Sequence, residues 1–459
     1  MYRYPAETIC APATVPGGAI SVIRVSGPQA IAATEKIFRI VGRLSLTDRK
    51  TGTLAFGTII DEDGAVLDEV LVSLFRAPHS YTGEDSTEIS CHGSRYIAER
   101  ILELLCREGC RMAEAGEFTK RAFLNGKMDL CQAEAVADLI AAESAASHRM
   151  AINQMRGGFT RELELLREKL LHLTALLELE LDFSDHEDLE FANRTELSVL
   201  TAEAEQRIAE LTASFHLGNA IKEGIPVAII GETNAGKSTL LNALLNEERA
   251  IVSDIHGTTR DVIEDIVNIG GTLFRFIDTA GLRETDDAIE RLGIDRTFKK
   301  IEQAEIVLLL VDVTSSPNHT EDFLRNILPR CSGKRLITVY NKLDLCPNFT
   351  PIPSSGSAVL ISAKDKQGLD RLRDLLTTTI PQQNAQNNVI VANRRHYEAL
   401  NQALDAIKRV NQGLVFNLPV DLVSQDLREC ICHLAEIIHG GISPENILHK
   451  IFSTFCIGK

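Results

Sequence analysis

Residues 231–238 read Gly-Glu-Thr-Asn-Ala-Gly-Lys-Ser, directly after the apolar run 227–230 and before the apolar stretch 240–245. The pattern GxxxxGK[ST] between a strand and a helix dictates a particular local structure. Its glycines let backbone N–H groups curl around phosphate oxygens, and the helix N-terminus behind them favours negative charge. Lys237 reaches the outer phosphates and the Ser238 hydroxyl can ligate magnesium. Asn234, Ala235, Gly236 and Thr239 complete the candidate loop. Such a loop belongs at the carboxyl edge of a parallel sheet, so an α/β unit is expected around it.

Four further apolar runs lie at 274–277, 306–313, 336–340 and 359–361, the later ones separated by helical stretches. Continuous apolar strands alternating with helices predict a mainly parallel sheet covered on both faces. The chemistry-bearing residues fall where these strands end. Asp278, Thr279, Ala280 and Gly281 follow the second run; a carboxylate there can hold magnesium and a glycine N–H can sense a γ-phosphate. Asn341, Lys342 and Asp344 follow the fourth. A carboxylate at that place accepts the ring N–H and 2-amino group of guanine, and adenine would leave it unpaired. Ser362, Ala363 and Lys364 follow the fifth run and close the base pocket. The nucleotide is therefore read as GTP. Between the first two runs, within Gly257-Thr258-Thr259-Arg260-Asp261, Thr259 is expected over the magnesium. The residue after Gly281 is Leu282, which cannot orient water as the glutamine of small regulatory GTPases does. Glu284, Asp286, Asp287 and Glu290 are the alternatives in the acidic run that follows.

The chain has 459 residues, which at roughly 100–200 residues per domain predicts two to four domains. Residues 1–120 mix β-like runs (19–25, 70–75) with a helical stretch near 96–107 and read as α+β. Residues 121–221 turn helical, with Leu166, Leu170, Leu173 and Leu177 at helical spacing around an apolar stripe. The α/β region spans 222–382, a polar linker follows Pro381, and 383–459 is helical again, with Ser443–Pro444 as a helix cap. Helical segments on both sides of the α/β unit predict its insertion into one helical domain. Lys plus Arg number 48 against 64 Asp plus Glu, a net charge of −16, which argues against coating nucleic acid through bulk charge. No apolar run approaches the roughly 18 residues of a membrane span, and the N-terminus has no secretory core. Ten scattered cysteines, with Cys106 and Cys110 placed on a helix, then read as reduced thiols of a cytoplasmic protein.

Several stretches carry a specific resemblance. They are GETNAGKS, DIHGTTRD (254–261), DTAGLR (278–283), NKLD (341–344) and the terminal CIGK (456–459). SVIRVSG (21–27), SYTGEDSTEISCHG (80–93) and AGEFTKRAFLNGKMDLCQAEAVADLI (115–140) extend it to the N-terminal part. Together they resemble the MnmE (TrmE) family of tRNA-modification GTPases. The resemblance implies an N-terminal α+β domain for folate binding and dimerisation, a helical domain, and an inserted Ras-like GTPase domain. Family members act as homodimers whose GTPase domains meet during potassium-stimulated hydrolysis. With the flavoprotein MnmG, in a heterotetramer or larger complex, they add a carboxymethylaminomethyl or aminomethyl group to carbon 5 of the wobble uridine of certain tRNAs. A tetrahydrofolate derivative, 5-formyl- or methylene-tetrahydrofolate, supplies the one-carbon unit.

Carried onto matching positions, the resemblance places Asn234, Ser253, Ile255 and Thr258 around a potassium ion, with Asp254, His256 and Gly257 in the same nucleotide-binding loop. It singles out Glu290 as the water-orienting group beside Lys237, and Cys456 as a thiol near the uridine chemistry, although a terminal cysteine can also simply pack. Arg24, Glu88, Lys127 and Lys459 match folate-binding positions; cations suit glutamyl carboxylates, and a carboxylate suits pterin N–H donors. Thr233 and Ser253 depart from the common proline and threonine of relatives. Two alternatives remain at this level. One is a GTP-dependent ribosome-assembly factor, against which the C-terminal helices show no GxxG element with strong basic flanks. The other is a folate enzyme with a regulatory GTPase domain.

Overall fold

The computed structural model describes residues 7–15, 17–42, 44–182, 194–232, 234–248, 265–277, 301–315, 325, 327–351, 357–378, 389–439, 448, 451–453, 455 and 458. The linker after Pro381 and the Ser443–Pro444 cap lie outside them. Two compact units are present: Met1–Ile140 with Ile152–Gln206 and Ala399–Lys459, and Ala141–Ala151 with Arg207–Glu398.

The first unit contains strands β1 (Ile9–Pro12), β2 (Ile20–Ser26), β3 (Phe38–Ile40), β4 (Thr53–Ile60), β5 (Val66–Phe75), β6 (Ser86–His92) and β7 (Arg111–Met112). They form one sheet in the order β3-β4-β5-β6-β2-β1-β7. All neighbours are antiparallel except β1 and β7. Alternation decides which face is buried. On β5, Val70, Val72 and Leu74 point inward, where helices α1 (Ala30–Ile37) and α2 (Arg95–Arg107) cover them with Ile31, Ile37, Ile101 and Leu105. The opposite face leaves Leu54, Phe56 and Leu71 exposed, and Phe56 and Leu71 are direct cross-strand partners. Cys106 lies in the last turn of α2, whereas Cys110 lies beyond the helix, because the chain turns at Gly109 and Cys110 N–H bonds back to Leu105 O.

Helices then take over: α3 (Glu117–Leu124), α4 (Leu130–Ile140), α5 (Ala145–Met155), α6 (Gly158–Asp182) and α7 (Arg194–Ala213). The stripe Leu166, Leu170, Leu173 and Leu177 on α6 is buried as its spacing predicts. Later in the chain come α8 (Phe215–Glu223), α9 (Lys237–Glu248), α10 (Leu369–Thr377), α11 (Arg394–Val415) and α12 (Val420–His439). Within the first unit α6 packs on α12, and Arg428 reaches Glu178 Oε1 at 2.6 Å.

The second unit is built on β8 (Ile225–Gly231), β9 (Asp265–Ile269), β10 (Thr272–Phe276), β11 (Ile306–Asp312), β12 (Arg335–Asn341) and β13 (Ser357–Leu360), in the order β13-β12-β11-β8-β10-β9. The five expected strands are mutually parallel, and β9 pairs antiparallel with β10 at the edge. β11 is buried on both faces from Ile306 to Leu310, which is why its sequence is continuously apolar. The parallel arrangement brings the carboxyl ends of β8, β11, β12 and β13 to one edge.

Candidate functional site

At that edge β8 runs into the loop 232–236, and α9 starts at Lys237. Asn234 (φ 62°) and Gly236 (φ 95°) both take left-handed backbone. Gly236 also allows a close approach: a Cβ there would strike Asn341 Nδ2. Leu240 N–H donates to Gly236 O at 2.9 Å, which starts the helix with Ser238 and Thr239 in its first turn. No acidic residue occupies that turn, so the positive end of the helix is not neutralised. Lys237 Nζ arches back over the loop and donates to Gly231 O (2.9 Å) and Glu232 O (2.6 Å). An ammonium and a helix N-terminus sharing one glycine-turned loop fit a polyphosphate.

The residues expected to recognise the base stand beside it. Asn341 is almost fully buried, and its amide bridges two loops: Nδ2 donates to Ala235 O at 2.8 Å, and Oδ1 accepts from Ala363 N–H at 3.0 Å. Asp344 Oδ1 accepts from Ser362 Oγ at 2.8 Å, which orients the carboxylate. Ser362 pairs with Gln367 in an isolated bridge, which shapes the turn carrying Ala363 and the exposed Lys364. Lys342 (φ 70°) sends Nζ to Asp312 Oδ2 at 2.5 Å, and Asp312 Oδ1 accepts from Thr314 N–H (2.9 Å) and Oγ1 (2.6 Å). Burial alone would raise the Asp312 carboxyl, but Lys342 and Thr314 outweigh it and hold it below its ordinary value. Of the expected nucleotide residues, the structure therefore brings Asn234, Ala235, Gly236, Lys237, Ser238, Thr239, Asn341, Lys342, Asp344, Ser362, Ala363 and Lys364 to one edge. Ser253, Asp254, Ile255, His256, Gly257, Thr258, Thr259, Asp278, Thr279, Ala280, Gly281 and Glu290 lie outside the described residues. Among the described residues no cluster of three or more His, Cys, Asp or Glu could hold a metal ion.

The first unit holds a second constellation on the sheet face away from α1 and α2. Arg24 and Glu88 are cross-strand partners on β2 and β6, joined by two guanidinium contacts of 2.9 Å. The Arg24 guanidinium lies over the rings of Tyr81 (5.0 Å) and Phe118 (5.6 Å), a cation–π arrangement. Burial pushes the Tyr81 hydroxyl above its ordinary value, while its bond to Thr119 works the other way. Gly458 (φ 94°) is seated against Pro12, and its carbonyl accepts from Arg24 at 3.4 Å. Lys127 lies against Gly83 and donates to Pro78 O at 2.9 Å. A half-buried guanidinium, a carboxylate and two rings fit a flat heteroaromatic with N–H donors and a carboxylate tail. Arg24 and Glu88 thus meet directly and Lys127 stands by the same loop; Cys456 and Lys459 are outside the described residues. Sequence reasoning did not single out Tyr81 or Phe118, although both lie within stretches that carried the resemblance.

Beneath this loop is an ion cluster that the sequence did not announce. Arg121 and Glu117, both nearly inaccessible, pair at 2.9 Å. Arg111 adds two bonds to Glu117 (2.7 and 3.1 Å), and Arg121 continues to Glu84 (3.2 Å) and Glu7 O (2.9 Å). Burial by itself raises the Glu117 carboxyl; the bonds from Arg111, Glu114 N–H and Arg121 outweigh it and leave it lowered.

The phosphate loop and the base-recognising loops at one edge of a parallel sheet define a P-loop guanine-nucleotide domain. The comparisons name the rest of the molecule. Residues 8–127 match the family described as GTP-binding protein TrmE N-terminus, and residues 130–456 match the MnmE helical domain. Curated relatives titled tRNA modification GTPase MnmE are similar along their whole length. The one from Phocaeicola vulgatus is 54% identical over 99% of both chains. That from Bacteroides fragilis is 58% identical over 99% of both, and that from Porphyromonas gingivalis 48% over 100% of this chain and 99% of its own. The chain belongs to the MnmE family of tRNA modification GTPases. No helix of the described residues is long and apolar enough to cross a membrane.

Proposed function

We propose that this chain hydrolyses GTP and couples that turnover, together with the flavoprotein MnmG, to placing an aminomethyl-type group on carbon 5 of the wobble uridine of certain tRNAs. One observation carries this reading: full-length similarity to tRNA modification GTPases MnmE of other organisms in a chain whose Asn341 amide joins the phosphate loop to the base loop. The division of labour follows 1–120 for folate and dimerisation, 121–221 and 383–459 for the helical domain, and 222–382 for GTP.

In hydrolysis, Asp344 and Ala363 select guanine, and Lys237 turns its donors from the loop carbonyls to the outer phosphates. Glu290 orients the attacking water in place of the glutamine that Leu282 cannot provide. Ser238 and Thr259 would hold magnesium, and Asn234, Ser253, Ile255 and Thr258 would hold potassium, which would supply positive charge to the phosphates. A tetrahydrofolate derivative, when bound, would supply the one-carbon unit; Arg24, Glu88, Lys127 and Lys459 would hold it, and Cys456 would offer a thiol to the uridine chemistry. The exposed Leu54, Phe56 and Leu71 support a homodimer formed through the N-terminal sheet. The net charge of −16 leaves MnmG to make most phosphate contacts with tRNA in the cytoplasm.

The test is mass spectrometry of tRNA nucleosides from cells with and without the gene. Modified wobble uridines should vanish on deletion, return with the intact gene and stay absent with Lys237→Ala. An unchanged nucleoside profile would overturn the tRNA assignment.

A further inference from the structure

β11 lies between β8, which carries the phosphate loop, and β12, which carries Asn341 and Asp344. Lys342 leaves β12 in left-handed backbone, and its stem runs back to Asp312 at the end of β11. It therefore crosses the sheet edge between the phosphate and base halves of the site. Asp312 is itself fixed, because Thr314 binds its other oxygen through both N–H and hydroxyl. The following loop is anchored as well: Cys346 and Phe349 pack on Val311, Val313 and Tyr340, with Phe349 and Tyr340 rings 5.2 Å apart.

We propose that Asp312 is a positioning residue of the nucleotide site, holding the Lys342 ammonium so that the lysine stem forms a preset wall against one face of the purine. The inference deepens the guanine-nucleotide reading and rests on it. A wall of methylenes contacts any purine face, whereas guanine is chosen by Asp344 at the ring edge. Presetting the wall removes side-chain ordering from the binding step. Asp312 thus governs how tightly a purine nucleotide is held and not which base is preferred.

Full-length protein is titrated with GDP and with inosine diphosphate, which lacks the 2-amino group. Asp312→Ala should weaken both by about tenfold, with an unchanged ratio between them. Thr314→Val should weaken both by a smaller factor, and Asp312→Glu should recover part of the loss. In a Lys342→Met background, Asp312→Ala should add less than about twofold, because the carboxylate acts only through the lysine. Melting of the nucleotide-free protein reports folding. If Asp312→Ala melts like wild type and binds GDP equally well, the proposal fails. It also fails if the Asp312 and Lys342 losses add in full, or if the GDP-to-IDP ratio shifts. A wild-type protein that binds no GDP would overturn the guanine-nucleotide reading together with this one.

Discussion

The side-chain amide of Asn341 donates to the carbonyl of Ala235 at 2.8 Å, across 106 residues of sequence. Its oxygen is taken by Ala363 N–H, so one buried side chain sets the spacing between phosphate and base loops. Asn341→Ala removes both bonds and strands a buried donor and acceptor, at about 1–3 kcal/mol each. GDP affinity should fall by at least about a hundredfold, and melting of the nucleotide-free protein should drop. Titration with a fluorescent GDP analogue and a thermal melt check both.

Asp344→Asn exchanges an acceptor for a donor while keeping the shape of the side chain. Guanine then loses the partner of its ring N–H, and xanthine, with a carbonyl at position 2, gains one. Competition titrations should show GDP weakened by about a hundredfold or more and xanthosine diphosphate strengthened. Unaltered preference would remove Asp344 from base recognition.

Glu117→Gln tests the buried cluster under the Tyr81 loop. Removing the charge that Arg121 and Arg111 share should cost about 3 kcal/mol at neutral pH. The folded-state value of Glu117 is lowered, so its contribution is complete above the unfolded value of about 4.3. It is lost as pH falls through the folded value. Denaturant melts of both proteins should therefore differ most near pH 7 and converge only once the pH has fallen below the lowered folded-state value.

Gly458→Ala introduces a Cβ that would meet Pro12 O at a backbone angle of +94°. The end of the chain should then lift from Arg24, and 5-formyltetrahydrofolate should bind about tenfold more weakly by calorimetry. GDP affinity, which depends on the second unit, should stay within about twofold. Equal folate binding would separate this segment from the Arg24 pocket.

What could be read from sequence follows the range of each interaction. The phosphate loop, Asn341, Asp344 and Ser362 were legible because each sits where an apolar parallel strand stops, a local pattern. The α6 leucines were legible for the same reason. β4 was not, because Leu54 and Phe56 on its open face blur the alternation carried by Ala55 and Ile59. Edge strand β9 was missed because only Val267 and Ile269 of its five residues are buried. Arg24 and Glu88 were nominated by resemblance, but their pairing is a matter of register between β2 and β6. Asp312 had no motif to mark it, since its partner arrives from the next strand.

The contact between Arg428 and Glu178 spans 250 residues, and it has a temporal side. On the ribosome, α6 emerges with its leucine stripe complete, but α12, which covers it, follows only after the whole inserted unit. At about 5–20 residues per second that interval is roughly 10–50 s. During it the second unit can fold on its own strands while the stripe stays uncovered. The length of the insertion thus sets how long the leucine stripe waits for its cover, and a longer insertion would lengthen that wait without touching the finished molecule.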